Sequence, residues 1–129
     1  MAVIKRLGDA ELEIMQIVWS CTEPMTSNGI LKGLTQRQWK LSTLMTSLER
    51  LVDKGFLICD RSTRTNLYSS QISEDDYKMT ESKLFLKKLY GNSLHSFVTY
   101  LCDADSVDKE DIAELREYLD SFSGGNPNG

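Results

Sequence analysis

The stretch WKLSTLMTSLERLVDKGFL, residues 39–57, leaves this chain few ways to fold. Leu41, Leu44, Leu48, Leu51 and Val52 recur at helical spacing, so one face of a helix must find a core. Gly55 supplies the left-handed residue that stops such a helix. Two short β-like runs follow, FLICD and NLYSSQI, joined by the polar RSTRT. A helix that runs straight into a hairpin needs further elements on its apolar side, and the residues before it provide them.

Asp9 is expected to cap a helix through Trp19, with Leu12, Met15, Val18 and Trp19 on one side and Ile14 and Ile17 widening the stripe. Pro24 breaks that pattern. Met25-Thr26 reads as a short strand, and Thr26 or Ser27 as the cap of a short helix carrying Ile30, Leu31 and Leu34. TQRQW is then a turn. Three short helices and a hairpin make a helix-turn-helix with a wing over residues 1–72.

The remainder reads as helical. SEDDYKMTESKLFLKKLYG has Ser73 as its cap, an acidic first turn, and Lys87 and Lys88 before Gly91, a charge order that suits the helix dipole. NSLHSFVTYLCD is a shorter apolar helix. DKEDIAELREYLDSF is an amphipathic one capped by Asp108, and residues 123–129 form a disordered tail. The expected fold class is therefore mainly α with a small β-wing: a winged helix-turn-helix domain, then a helical dimerisation domain over residues 73–122. Leu94, Phe97, Val98, Leu101, Ile112, Leu115, Leu119 and Phe122 offer more apolar surface than three short helices can bury among themselves. A homodimer interface is the economical explanation, and packing back onto the winged half is the alternative.

Composition narrows the function classes. The 129 residues are 40% hydrophobic and 26% charged, suited to one compact domain or two small ones. The apolar runs are too short to span a bilayer, and the N-terminus lacks the apolar stretch of a secretory signal, so the expected location is cytoplasmic. Cys21, Cys59 and Cys102 are far apart and lack C-x-x-C spacing, which points to reduced thiols rather than a disulfide framework or a zinc site. No metal or other cofactor is expected. The net charge of −4 is unevenly spread: residues 1–73 carry nine basic against seven acidic side chains, residues 74–129 six against twelve. An anion-facing surface belongs to the first half. Catalysis finds little support, since His95 is the single histidine and neither Ser93 nor Ser96 beside it has a third orienting group. The chain is not expected to be an enzyme.

The pieces LGDAELEIMQIVW, W…ST…SLERLVDKGFL, LYSSQISEDDY, ESKLFLKKLYGNSLHSFV and EDIAELREYL occur in an order and at gaps that resemble the penicillinase-repressor family (BlaI/MecI, with the copper-responsive CopY branch), over residues 6 to 120. The resemblance implies a bacterial, dimeric winged-helix transcriptional repressor on double-stranded DNA with an inverted-repeat operator. In a helix-turn-helix the first residues of the second helix face base edges, which here are Ser42, Thr43, Met45 and Thr46. Lys40, Arg50, Arg61 and Arg64 would hold phosphates, with Thr26, Ser27 and Asn28 at a helix start. The interface of the homodimer would be Leu94, Phe97, Val98, Leu101, Ile112, Leu115 and Leu119.

Departures from the family pattern are informative. Two positions that are commonly basic are Ser42 and Met45 here, and a helix-starting Pro is Leu41. The copper branch resembles a cluster of thiolates near the C-terminus, whereas this half has only Cys102. The β-lactam branch is released when a membrane sensor-protease system leads to cleavage in the dimerisation half, which the resemblance places at Tyr100-Leu101, although the family's Asn-Phe pair is absent. The low positive charge on the groove face keeps an alternative open: a winged-helix protein-interaction or adaptor module without DNA binding.

Overall fold

The computed structural model describes residues 5–35, 38–103 and 107–125, with side chains to residue 122. The TQRQW turn falls partly on residues outside that range, as does the last part of the expected tail. The chain divides into two units, Met1–Ser82 and Lys83–Gly129.

In the first unit, α1 (Asp9–Trp19), α2 (Ser27–Gly33) and α3 (Leu41–Asp53) precede an antiparallel hairpin of β1 (Leu57–Asp60) and β2 (Leu67–Ser70). The register pairs Leu57 with Ser70 and Cys59 with Tyr68. Met25 exchanges both backbone hydrogen bonds with Tyr68, at 2.8 and 2.7 Å, so the expected strand at Met25-Thr26 shrinks to a single bridge on the free edge of β2. That bridge satisfies an edge that would otherwise expose its polar backbone.

Asp9 is not the cap of α1. Gly8 takes that position, in extended backbone, and donates its N–H to the Glu11 carboxylate at 2.8 Å, the reciprocal half of a capping box. Asp9 sits one residue inside, where its charge favours the dipole without capping. Thr26 caps α2 as expected by accepting from Gly29 N at 3.0 Å. Gly55 ends α3 at φ +85°, a conformation open to glycine at little cost.

The core of this unit is Ile14, Met15, Val18, Ile30, Leu34, Leu44, Leu48, Leu51, Phe56, Leu57, Tyr68 and Tyr77. Leu41 does not join it. Leu41 lies 45% exposed on the first turn of α3, whereas Ser47 is buried on the packed face. The expected apolar stripe therefore starts one turn later, at Leu44, because at Leu41 the helix has only begun to pass over the core. Trp39 packs against the core edge, with its Nε1 enclosed and unpartnered among the described residues.

Helix α4 (Glu74–Tyr90) is capped by Ser73, whose Oγ accepts from Asp76 N at 3.1 Å. Its first turns belong to the first unit, so the division falls after Ser82 rather than at residue 72. Tyr77 is the reason. Its ring meets Trp19 and Phe56 at centroid distances of 5.8 and 5.6 Å, and Trp19 Nε1 donates to the carbonyl of Ile72 at 2.9 Å. Arg6 closes the same end with a forked ion pair to Glu81.

In the second unit, α4 ends at a corner where Gly91 and Asn92 are both left-handed, at φ 52° and 68°. Ser93 Oγ then accepts from Ser96 N at 3.1 Å and starts α5 (Leu94–Asp103). Phe85, Tyr90 and Phe97 form an aromatic cluster across that corner, with centroids 5.3–5.9 Å apart. Helix α6 (Lys109–Gly125) follows Asp108, whose backbone carbonyl accepts from Ile112 N at 3.1 Å. It continues through Ser123, Gly124 and Gly125, so the helix takes in the first three residues of the expected tail.

Candidate nucleic-acid interface

One side of α3 is sealed into the core by Leu44, Ser47, Leu48 and Leu51, and that decides what the opposite side offers. Ser42, Thr46, Glu49 and Asp53 follow at helical spacing and are all exposed. Thr43 and Arg50 form one exposed flank. Leu41, Met45 and Val52 form the other, with Met45 and Val52 half-buried against the core.

Of the four expected base-facing residues, Ser42, Thr43 and Thr46 are free to meet a ligand. Met45 presents only part of its side chain. The Thr46 hydroxyl donates to the carbonyl of Ser42 at 3.1 Å, so its proton is committed and its oxygen is left to accept. Leu41, missed as a surface residue, extends the same end of the helix. Its placement could have been read from its position on the first helical turn.

The six-residue tip of the hairpin, residues 61–66, carries Arg61 and Arg64, both exposed. The tip is ordered by the Asp60 carboxylate, which accepts from Ser62 N at 2.9 Å and Ser62 Oγ at 2.6 Å. These bonds hold the Asp60 carboxyl below its usual range. Arg61 also lines a cleft of about 160 Å³ with Glu49, Val52, Asp53 and Tyr68, between α3 and the hairpin. Burial and a neighbouring Cys59 push the Tyr68 phenol up, which keeps it neutral there.

Lys40 is the backbone N-cap of α3, with an exposed side chain, and Arg50 is exposed in its last turn. At the start of α2, Thr26 and Ser27 are half-buried and Asn28 is exposed. Lys54 is not available to an anion in the same way. Its Nζ donates to Glu11 at 2.7 Å and approaches the carbonyl of Arg6 at 3.4 Å. Burial pushes the Glu11 carboxyl up, yet the hydrogen bonds from Lys54 and Gly8 outweigh it and hold it below its usual range.

The helical unit presents a different surface. Neither α5 nor the described part of α6 contains a buried side chain. Leu94 is 55% exposed and Leu119 47%, with Leu101, Ile112, Leu115 and Phe122 also exposed and Phe97 and Val98 half-buried. Tyr100 is exposed beside Leu101, both within α5. Ser93 is engaged in capping and His95 is exposed.

The family model described as penicillinase repressor matches residues 7–121. The chain belongs to that family. The family assignment extends to both units, since the match runs from before α1 into α6. The penicillinase repressor of Bacillus licheniformis is 33% identical over 121 residues, covering 93% of this chain and 94% of that protein. The methicillin resistance regulatory protein MecI of Staphylococcus aureus (strain N315) is 30% identical over 113 residues, covering 88% and 92%. Among solved structures, the DNA binding domain of the repressor BlaI in solution is similar with a TM-score of 0.51 at 35% identity, covering 60% of this chain and 94% of that domain. The winged helix is thus shared with the family. Among the described residues, no helix is long and apolar enough to cross a membrane.

Proposed function

We propose that the chain is a transcriptional repressor that binds an inverted-repeat operator in double-stranded DNA as a homodimer, in the cytoplasm, without a catalytic step of its own. The observation that carries this reading is α3. A helix with one face locked into the core presents Ser42, Thr43, part of Met45 and Thr46 outward, next to a hairpin tip with two exposed arginines. That is the geometry with which a winged helix lays a helix in the major groove and a hairpin along the backbone. Lys40, Arg50, Arg61 and Arg64 take phosphates, helped by Thr26, Ser27 and Asn28. The apolar, unburied faces of α5 and α6 support a second copy as the partner, and two recognition helices about one DNA turn apart then occlude a promoter.

Release follows loss of the dimer, because one half-site is held by few contacts. Cleavage at Tyr100-Leu101 under a membrane sensor-protease is one route in this proposal. Both residues lie inside α5, so the helix must open locally before a protease can take the bond.

The test is a gel shift with the inverted repeat upstream of the chain's own gene, at two salt concentrations. Four phosphate-binding cations per protomer predict a log–log salt slope of about −7 for the dimer. Arg50→Ala and Arg64→Ala each weaken binding and flatten that slope. Binding that is absent even at low salt favours an adaptor module that keeps the winged fold for a protein partner, a reading to which the exposed Glu49 and Asp53 on the outward face lend support.

A further inference from the structure

We infer that Glu49 and Asp53 hold down the affinity of each winged unit for any duplex, so that one unit alone loses a half-site and operator occupancy depends on the pair. This rests on the DNA-binding reading above and says what regulates that site.

Ser42, Thr46, Glu49 and Asp53 make up one stripe on the outward side of α3, and all four are exposed. A face that lays Ser42 and Thr46 against DNA therefore brings two carboxylates with it. Along the helix axis they follow Thr46 by about 4.5 and 10.5 Å. The major groove is about 12 Å wide with phosphates along both sides, and charges act over about 10 Å at 0.1 M salt. Repulsion between these carboxylates and the backbone follows from the face alone, whatever base lies opposite.

The neighbouring cations do not cancel it. Arg50 and Lys54 each directly follow one of the two carboxylates in sequence, yet both serve Glu11 instead. Lys54 Nζ donates to Glu11 at 2.7 Å, and the charge of Arg50 helps to hold the Glu11 carboxyl low. Neither Glu49 nor Asp53 has an ion pair among the described residues. Among the described residues that line their cleft, Arg61 is the one cation, and one guanidinium offsets one of two charges. From Leu41 to Glu49, α3 contains no lysine or arginine of its own. The outward stripe thus meets a polyanion with a net negative charge.

A repulsion that is the same for every sequence leaves the preference between sequences intact and lowers the absolute affinity. Two linked units withstand that loss, because the second binds at a high effective concentration once the first is seated. A single unit has no such help.

The test compares the full-length protein with its E49Q/D53N variant on the inverted repeat upstream of its own gene, on one half-site, and on a scrambled duplex of half-site length. Both residues are exposed, so the melting temperature should not move. The variant should bind the half-site and the scrambled duplex about tenfold more tightly at about 50 mM salt, by the same factor on both, with the gain fading as salt rises. The same change of charge at the exposed start of α4, Asp75→Asn with Asp76→Asn, should gain less than about twofold. Unchanged half-site affinity, a gain confined to one sequence, or an equal gain from the α4 pair overturns the inference while DNA binding stands. Weaker binding by E49Q/D53N overturns it too, since a carboxylate would then be accepting from a base. If neither protein binds any of the three duplexes at low salt, the DNA-binding reading itself falls, and this inference with it.

Discussion

The phenolic oxygen of Tyr77 accepts the backbone N–H of Leu7 at 3.0 Å, across seventy positions of sequence. This bond ties the segment before α1 to the first turn and a half of α4, inside the cluster that Tyr77 forms with Trp19 and Phe56. Replacing Tyr77 by Phe keeps the ring packing and leaves one N–H without its partner. The expected cost is about 1 kcal/mol in urea unfolding, against about 3–5 kcal/mol for Tyr77→Ala, which also empties the cluster.

Leu41 and Leu48 differ by seven positions and look equivalent in the sequence, yet one is 45% exposed and the other fully buried. Leu48→Ala should cost about 2–5 kcal/mol through the cavity it leaves. Leu41→Ala should stay within about 0.5 kcal/mol of the parent. Thermal melts of the two variants make the comparison, and equal losses would place Leu41 in the core after all.

Glu11 joins Gly8 N and Lys54 Nζ, at 2.8 and 2.7 Å, and its carboxyl titrates below the usual range in the folded chain. A group with a depressed folded pKa contributes stability that is present above its unfolded pKa, about 4.3, and lost as pH falls through the folded value. Glu11→Gln should therefore destabilise by about 1 kcal/mol at pH 7. The gap from wild type should close below about pH 4. Urea midpoints of both proteins across that range test the sign as well as the size.

Leu115 and Leu119 lie one turn apart on α6, 43% and 47% exposed. A homodimer that buries this face cannot hold two carboxylates there. The double variant Leu115→Asp, Leu119→Asp should sediment as a monomer at micromolar concentration, while its winged unit keeps its melting transition. A dimer that survives both substitutions would move the interface off α6.

Most of the winged unit was legible because its signals are local and repeated. The spacing of Leu44, Leu48 and Leu51, the left-handed Gly55 and the Thr26 cap each depend on residues a few positions away. What escaped depends on distance or on the ends of elements. Gly8 displaced Asp9 as cap because Glu11 already reaches back to the Gly8 N–H. Leu41 left the core because apolar periodicity says nothing about where along its length a helix is covered. Tyr77 gave no warning within the charged run SEDDYKM, since its partners are Leu7, Trp19 and Phe56. The exposed arginines of the hairpin tip were legible as residues, and the family match placed them in a winged fold. Thr46 committing its proton to Ser42 was not legible, because it depends on one side-chain rotamer.

If the faces of α5 and α6, without a buried side chain among the described residues, pair two copies as proposed, abundance itself becomes a variable. In a repressor that pairs through such faces, the bound fraction falls with dilution faster than the protein does, because two chains must meet before either holds its half-site firmly. Cell growth without fresh synthesis would then act as a slow inducer, thinning the pool until the operator opens. The steepness of that threshold would be set by side chains far from the groove.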